Sequence, residues 1–540
     1  MRLAYACLVL AFGCGSNAGG GDDQPPADGK QPDGGDPCGA DPASCPGDDG
    51  TFVSAARGDD GNPGSKAMPL KTIGAGIAKA KGKGGAQSVF VAQGTYPEKV
   101  TLAPGVSVHG GYECNTGACG WTRDLAAFET TIANQDFEGV LAGAGITSTT
   151  LLAGFTIRGK DGMPAAAPGG AGVTIAGSSP TVRGNRIFGG NVLAGGPTAA
   201  DRSLGVAVRG TGGALAKIEN NEIVSGTAPG LSAAILLENV GGPATATIAA
   251  NTLQSGQARR SDGIAAFGSG AATTITGNEI FAGTSMGGTS NGIELTSAAT
   301  ITRNRINVVT SSVGACMNAT TWCAGIATNG ATATITNNIV YGPKGFRTAG
   351  VFMTETEQPA GTVILNANYL NGGGQGGAGS GTVRNESAAV VVAIGSCNNC
   401  GLKGAVGRVR NNILDGGINL NRYGVREDPA QGRTTSVELL DSNDIWFAEV
   451  LSNRNDVLYR EITQSGAPID TKSIFVLDGW SSPPTMNNQN EDPMLSATYH
   501  LADRSPCVDS GTTTEAPADD FEGETRPSGP GVDIGPDEKH

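Results

Sequence analysis

Few residues in this 540-residue chain have types and spacing suited to chemistry. Four carboxylates of the repeating central region, Asp262, Glu294, Glu355 and Glu357, are dense enough to suggest one groove. Glycoside hydrolysis needs two placed carboxylates. Elimination across a uronic acid needs a base and stabilisation of the substrate carboxylate, often by calcium. Asp59, Asp60 and Asn62 offer oxygen ligands for calcium, and the same residues are turn formers. The C-x-x-C at Cys397 and Cys400 has the spacing of a redox or zinc motif. Its flanking Gly-Ser and Gly-Leu predict no helix to lower a thiol pKa. The three histidines, His109, His500 and His540, lie far from it in sequence, so a loop disulfide fits better than zinc.

The carboxylates are carried by a repeat. The phrase T-I-x-x-N-x-I occurs at Thr274–Ile280 and Thr300–Ile306, and recurs with drift around Asn185, Asn221, Asn251, Asn338, Asn368, Asn412 and Asn443. Most of the intervals are 26 to 36 residues, the period of a solenoid. Alternation of Thr and Ile with polar residues predicts a strand in each copy. An Asn follows where the chain must turn, because Asn tolerates left-handed backbone. Stacking at strand spacing would align Asn185, Asn221, Asn251, Asn278, Asn304 and Asn338 into a hydrogen-bonded ladder. A second phrase, G-[IV]-x-[VIL], precedes most copies, as at Gly172–Ile175, Gly205–Val208, Gly292–Leu295 and Gly350–Met353. At least two strands per coil with no helical period predict an all-β fold, a parallel β-helix. Within it, Glu279 and Arg305 occupy equivalent places in successive copies and should pair. Asp262 and Asn291 should stack, with Glu294 pointing outward.

Composition agrees. Gly is 86 of 540 residues and aromatics are 5%, which in a repeat array places glycine at coil corners, where positive φ is needed. The net charge is −14, but residues 15–66 carry ten acids against three bases and residues 491–540 twelve against three. The coils between are nearly neutral, which excludes the basic face of a nucleic-acid binder.

Residues 1–13 read as a targeting segment too short to span a membrane. Ala11-Phe12-Gly13-Cys14 resembles a bacterial lipoprotein signal, with Ala11 where Leu is usual; the resemblance implies lipidation of Cys14, and an ordinary signal peptide is the other reading. Residues 14–50, rich in Gly, Asp and Pro, predict a disordered tether. The run "GDDGNPG…PLKTIGAGIAKA…VFVAQGTY…GVSVHGGY" resembles the N-terminal part of right-handed parallel β-helix proteins of the pectate-lyase-like superfamily on bacterial surfaces. That resemblance implies a cap over residues 51–99, with a short helix at Ile73–Lys81 covering the apolar end. The solenoid is expected over 100–487, with loops near 190–201, 314–323, 371–381 and 395–404. Residues 446–487 fit the repeat poorly and suggest a lateral extension. Residues 488–540, "NEDPMLSATYHLADRSPCVDSG…DFEGETRPSGPGVDIGPDE", resemble the irregular closing segment of the same proteins.

Of the eleven cysteines, Cys7 lies in the targeting segment, Cys14 is the lipidation candidate and eight of the rest pair by proximity. The expected bridges are Cys38–Cys45, Cys114–Cys119, Cys316–Cys323 and Cys397–Cys400, as in an exported chain, with Cys507 packed as a small apolar residue.

Enzymes of the resembled superfamily cleave polysaccharides on an outer face of the coils. The N-T-D, D-D and G-H-G motifs of polygalacturonases are absent from the coils, and so is the W-I-D-H of pectate lyases. Outward positions such as Thr174, Ala207, Ala265 and Ala327 carry small residues and offer no acid, base or nucleophile. The sequence therefore reads as a surface lipoprotein of the outer membrane or cell surface of a Gram-negative bacterium, monomeric, with a non-catalytic binding, adhesive or scaffold role. Its partners would be a polysaccharide or a surface protein, and it would need no cofactor beyond a possible calcium ion. The competing reading is a polysaccharide lyase or glycoside hydrolase with a divergent site among Asp262, Glu294, Glu355 and Glu357.

Overall fold

The computed structural model describes residues 46–540 except 116, 118, 134–137, 163–169, 193–200, 212–214, 269–272, 309–315, 317–321, 356–361, 375–384, 395–402, 429–433, 449–453, 463–466 and 481–482. Cys14, residues 14–45 of the tether, the pairs Cys38–Cys45 and Cys397–Cys400, and Glu357 lie outside the described residues, whereas residues 46–50 are described and the Asp49 and Gly50 carbonyls accept from Lys83 Nζ.

Three parallel sheets run the length of a right-handed β-helix, with 14, 13 and 12 strands among the described residues. The first sheet holds the T-I strands. The second holds the longer G-[IV] strands, and the third the three- or four-residue strands that follow each ladder Asn. Each coil thus has three strands, one more than the two phrases require. Period-two alternation buries one column per sheet. Ile218, Ile248, Ile275, Ile301 and Ile335 stack in register in the first sheet, and all are fully buried. Each such side chain contributes roughly 1.5–3 kcal/mol at most.

The asparagines form a continuous ladder longer than the six singled out. Each Nδ2 donates to the Oδ1 of the next, from Asn185 to Asn221 at 3.1 Å, then through Asn251, Asn278, Asn304, Asn338, Asn368, Asn412 and Asn443 to Asn488 at 2.9–3.1 Å. The turn, however, is not made by these residues. The left-handed backbone belongs to the residue before each one: Gly184, Asn220, Ala250, Gly277, Arg303, Asn337, Ala367, Asn411, Ser442 and Asn487 all have φ of 51° to 63°. The ladder Asn is selected instead for its amide, which satisfies backbone groups of the adjoining coils in the buried corner.

The glycines of the G-[IV] phrase also differ from expectation. None between Gly205 and Gly424 in this column has positive φ. They permit close approach: a Cβ at Gly263 would stand 2.3 Å from Ile280 Cγ2 and 2.6 Å from the Gly292 carbonyl oxygen. The second sheet bends there over the third, and both Asp262 and Ala265 face outward from the bend.

At the N-terminal end, helix α1 (Ile73–Lys83) lays Ile73, Ile77 and Ala80 on the core. Its first turn is tied down by carboxylates, since Glu98 accepts from the amides of Ile73 and Gly74 at 2.7 and 2.9 Å. Asp60 accepts from the amides of Lys71 and Thr72, Asp59 from that of Gly61, and Asn62 donates to the Pro69 carbonyl. The sheets begin before Val100, since Thr51–Val53, Gln87–Ala92 and Gly94–Tyr96 already belong to them.

The C-terminal part departs from the expected plan. Asn455–Ile462 continues the second sheet, Pro468–Thr471 pairs antiparallel to it, and Ile474, Leu477 and Trp480 cover the open end of the core. Residues 446–487 therefore end the solenoid rather than extend it sideways. The segment after Gln489 folds back along the outside of earlier coils. Asn411, Asn366 and Asn337 donate in turn to the carbonyls of Thr512, Glu515 and Asp519 at 2.7–2.9 Å. Cys114–Cys119 and Cys316–Cys323 are disulfide-bonded. Cys507 is free and buried, its Sγ 3.3 Å from an Asp444 carboxylate oxygen.

Candidate functional site

The outer trough of the second sheet brings together only part of the carboxylate set. Asp262 pairs in register with Asn291, and Glu294 lies beyond the bend on the neighbouring strand. Arg260 joins the two acids, its Nε 3.0 Å from Asp262 Oδ2 and 3.0 Å from Glu294 Oε2. Asn291 Nδ2 donates to both, and Asn329 Nδ2 donates to Glu294 at 2.8 Å. The Phe267 ring lies 4.2 Å from the Arg260 guanidinium carbon. Asp262 is 0% exposed. Burial, and then the Glu294 charge, push its carboxyl above the usual range, against the pull of Arg260 and Asn291. Glu294 points outward from its strand, in register with Ala265, but is nearly buried as well. A buried acid with both oxygens bonded inside the protein cannot reach a glycosidic oxygen. Glu355 ends the strand Arg347–Glu355, two strands further along the sheet. The expected partner of Glu279 is also lost: Arg305 is in register with it but turns its guanidinium towards the Tyr499 and Phe521 rings. His109 is buried against Phe90.

The same trough holds a second closed network. Arg426 Nη1 bonds Glu386 at 2.9 Å, Arg347 Nη2 bonds Asp428 at 2.8 Å, and both arginines stack on Trp322. The small outward residues Thr174, Ala207, Ala265 and Ala327 are buried too, packed under Leu204, Leu236, Trp322 and their neighbours. The second sheet therefore does not present the open, small-residue face the sequence suggested.

An accessible site lies instead on the third sheet. In its strands the middle residue points into the core and the flanking two point out, as in Ile339–Tyr341, Tyr369–Asn371, Ile413–Asp415 and Asp444–Trp446. Tyr341, Tyr369 and Trp446 thereby share one outer face, and the folded-back segment supplies Tyr499 opposite them. The four aromatics, with Asp492, Met494 and Ser496, line a cavity of about 420 Å³. Ring centroids of Tyr341, Tyr369 and Tyr499 lie 5.2–5.9 Å apart, and the hydroxyls of Tyr341 and Tyr499 touch. Behind the wall, Asp415 is buried and accepts from Asn371 Nδ2 at 2.8 Å, Gly417 N at 2.9 Å and the Tyr369 hydroxyl at 3.4 Å. Burial raises its carboxyl to about 6 despite those bonds. Aromatic faces beside hydroxyls and an exposed carboxylate suit a ligand with both an apolar face and a polar rim. The sequence signal for this site was available: aromatics stand at the outward places, one or three residues after Asn338, Asn368 and Asn443. Tyr499 carried no such signal.

Two groups of possible metal ligands occur in the C-terminal segment, His500, Glu522 and Asp537, and Asp520, Glu524 and His540. No helix among the described residues is long and apolar enough to cross a membrane.

These features define a right-handed parallel β-helix protein with an aromatic-walled side pocket. No family model and no curated protein matches the chain. Among solved structures it is similar to XylC in complex with xylose, at 11% identity and TM-score 0.39 over 90% of this chain and 98% of that one. It is similar to the Dettilon tailspike protein at 12% identity and TM-score 0.37, over 76% and 68% of the two chains. A rhamnogalacturonan lyase gives 13% identity and TM-score 0.28 over 90% and 95%.

Proposed function

We propose that this chain is an exported binding protein whose solenoid presents a carbohydrate-docking pocket at Tyr341, Tyr369, Trp446 and Tyr499, without catalysis by its coils. The observation that carries the reading is the clustering of four aromatic rings around one cavity, because the C–H face of a pyranose packs on such rings while its hydroxyls bond the rim. Against catalysis in the trough stands the closure of Asp262 and Glu294 by Arg260. Two loop disulfides suit an oxidising compartment. The lipoprotein-like sequence at Cys14 supports anchoring to the outer membrane, with the acidic linker as tether and a monomer as the working unit.

One observation favours hydrolysis as the second reading. Asp492 stands exposed on the pocket wall, where a carboxylate can reach a bound glycan, whereas Asp415 is buried behind it with its oxygens bonded inside the protein. A glycan array probed with the full chain and with Trp446→Ala tests binding. Incubation of the bound glycan with the protein, with and without calcium, tests turnover. Binding lost in Trp446→Ala without turnover supports the proposal. Turnover abolished by Asp492→Asn would replace it with the enzyme reading.

A further inference from the structure

We propose that His500, Glu522 and Asp537 form a zinc site that pins the folded-back C-terminal segment. One donor atom of each lies within 4.8 Å of the other two. Ligand atoms around tetrahedral zinc, at bonds of about 2.1 Å, stand about 3.4 Å apart, so small side-chain rotations complete the set. The anchor is Asp537. It is nearly buried, and its Oδ2 is fixed by the Leu501 amide at 2.7 Å, with Oδ1 2.9 Å from His500 Nδ1. The movable arms are His500, half-exposed, and Glu522, whose carboxylate lies 4.0 Å from His500 Nε2.

The donor set chooses the ion. An imidazole beside two carboxylates favours zinc over calcium or magnesium, which take oxygen shells. Charge also calls for a cation here. Residues 491–540 hold twelve acids against three bases, and Glu522 and Asp537 both approach His500. The alternative is a plain ion pair between protonated His500 and Asp537, with no ion held. Three ligands reaching from positions 500, 522 and 537 would tie the two ends of the segment together, next to the Asp492–Tyr499 wall of the pocket. The site stands independently of what the pocket binds.

The test uses tag-free full-length protein, stripped with a chelator and dialysed against Zn²⁺ or Co²⁺. The expected result is one equivalent retained in the presence of excess Mg²⁺, with visible Co²⁺ absorption bands. His500→Ala and Glu522→Gln should each weaken binding about tenfold or more and abolish the bands, with unchanged far-UV circular dichroism. Glu522 is on the surface, so its variant remains informative if His500→Ala misfolds. Failure of the wild type to retain metal overturns the proposal. So does equal retention by both variants, or loss on His540→Ala alone, which would move the site to the neighbouring group.

Discussion

Replacing Asn278 by Ala measures what the corner ladder contributes. Its Nδ2 donates to Ile248 O, Thr276 O and Asn304 Oδ1 at 2.9–3.1 Å. Its Oδ1 accepts from both the amide and the side chain of Asn251, at 2.9 and 3.0 Å. Not all of these losses leave an orphan. Asn304 Oδ1 keeps the bond from the Asn278 amide, and Asn251 Nδ2 keeps Ile218 O and Ala249 O. The Asn251 amide loses its acceptor in a corner where Asn251 is 2% exposed. One buried orphan costs about 1–3 kcal/mol, and the remaining lost bonds roughly 0.5–1.5 kcal/mol each, so a total of about 2–4 kcal/mol is expected. Asn278→Asp should cost more, because it removes the donor and sets a carboxylate oxygen against Ile248 O and Asn304 Oδ1. Urea unfolding gives the global value, and amide exchange at Asn251 and Asn278 localises it, which matters in a solenoid whose coils need not unfold together. A loss below about 0.5 kcal/mol, with unchanged exchange at Asn251, would show that water replaces the ladder and that the corner is held by the strands alone.

Gly263→Ala should destabilise by about 1–3 kcal/mol or more, since the new methyl meets Ile280 Cγ2 and the Gly292 carbonyl; thermal unfolding of the variant checks it. Arg260→Met should cost roughly 3–5 kcal/mol by stranding Asp262 and Glu294, and adding Asp262→Asn should recover part of the loss in a double-mutant cycle. For Asp415, the folded carboxyl near 6 lies above an unfolded value of about 3.9. Its contribution is therefore fully present below about pH 4 and is lost as pH rises through about 6. Stability measured against pH should fall less steeply in that window for Asp415→Asn than for the parent chain.

The repeat made the solenoid legible because each coil spends the same residues on the same tasks. Ile at the inward place, Asn at the corner and Gly before the bend recur at positions that stack in register. A single strand phrase cannot show that the residue before Asn takes the left-handed turn, or that the Gly is needed to clear an Ile of the third sheet. The Asp262 and Glu294 pair was visible as acids, but Arg260 was not seen to close it, because its bond to Glu294 crosses to the next coil. The aromatic pocket escaped because Tyr499 meets Tyr341 and Tyr369 only after the C-terminal segment folds back, a contact across 158 residues.

Docking at the pocket is measured directly by calorimetric titration of an array-selected glycan into three proteins: the parent, Trp446→Ala and Phe281→Ala. Phe281 occupies the equivalent outward column of the third sheet, outside the cavity. Loss of one stacked ring should weaken binding by about 1–2 kcal/mol, or roughly 5- to 30-fold, in Trp446→Ala, with no change in Phe281→Ala. Equal affinity in all three proteins, or loss confined to Phe281→Ala, would contradict the assignment of this pocket as the docking site.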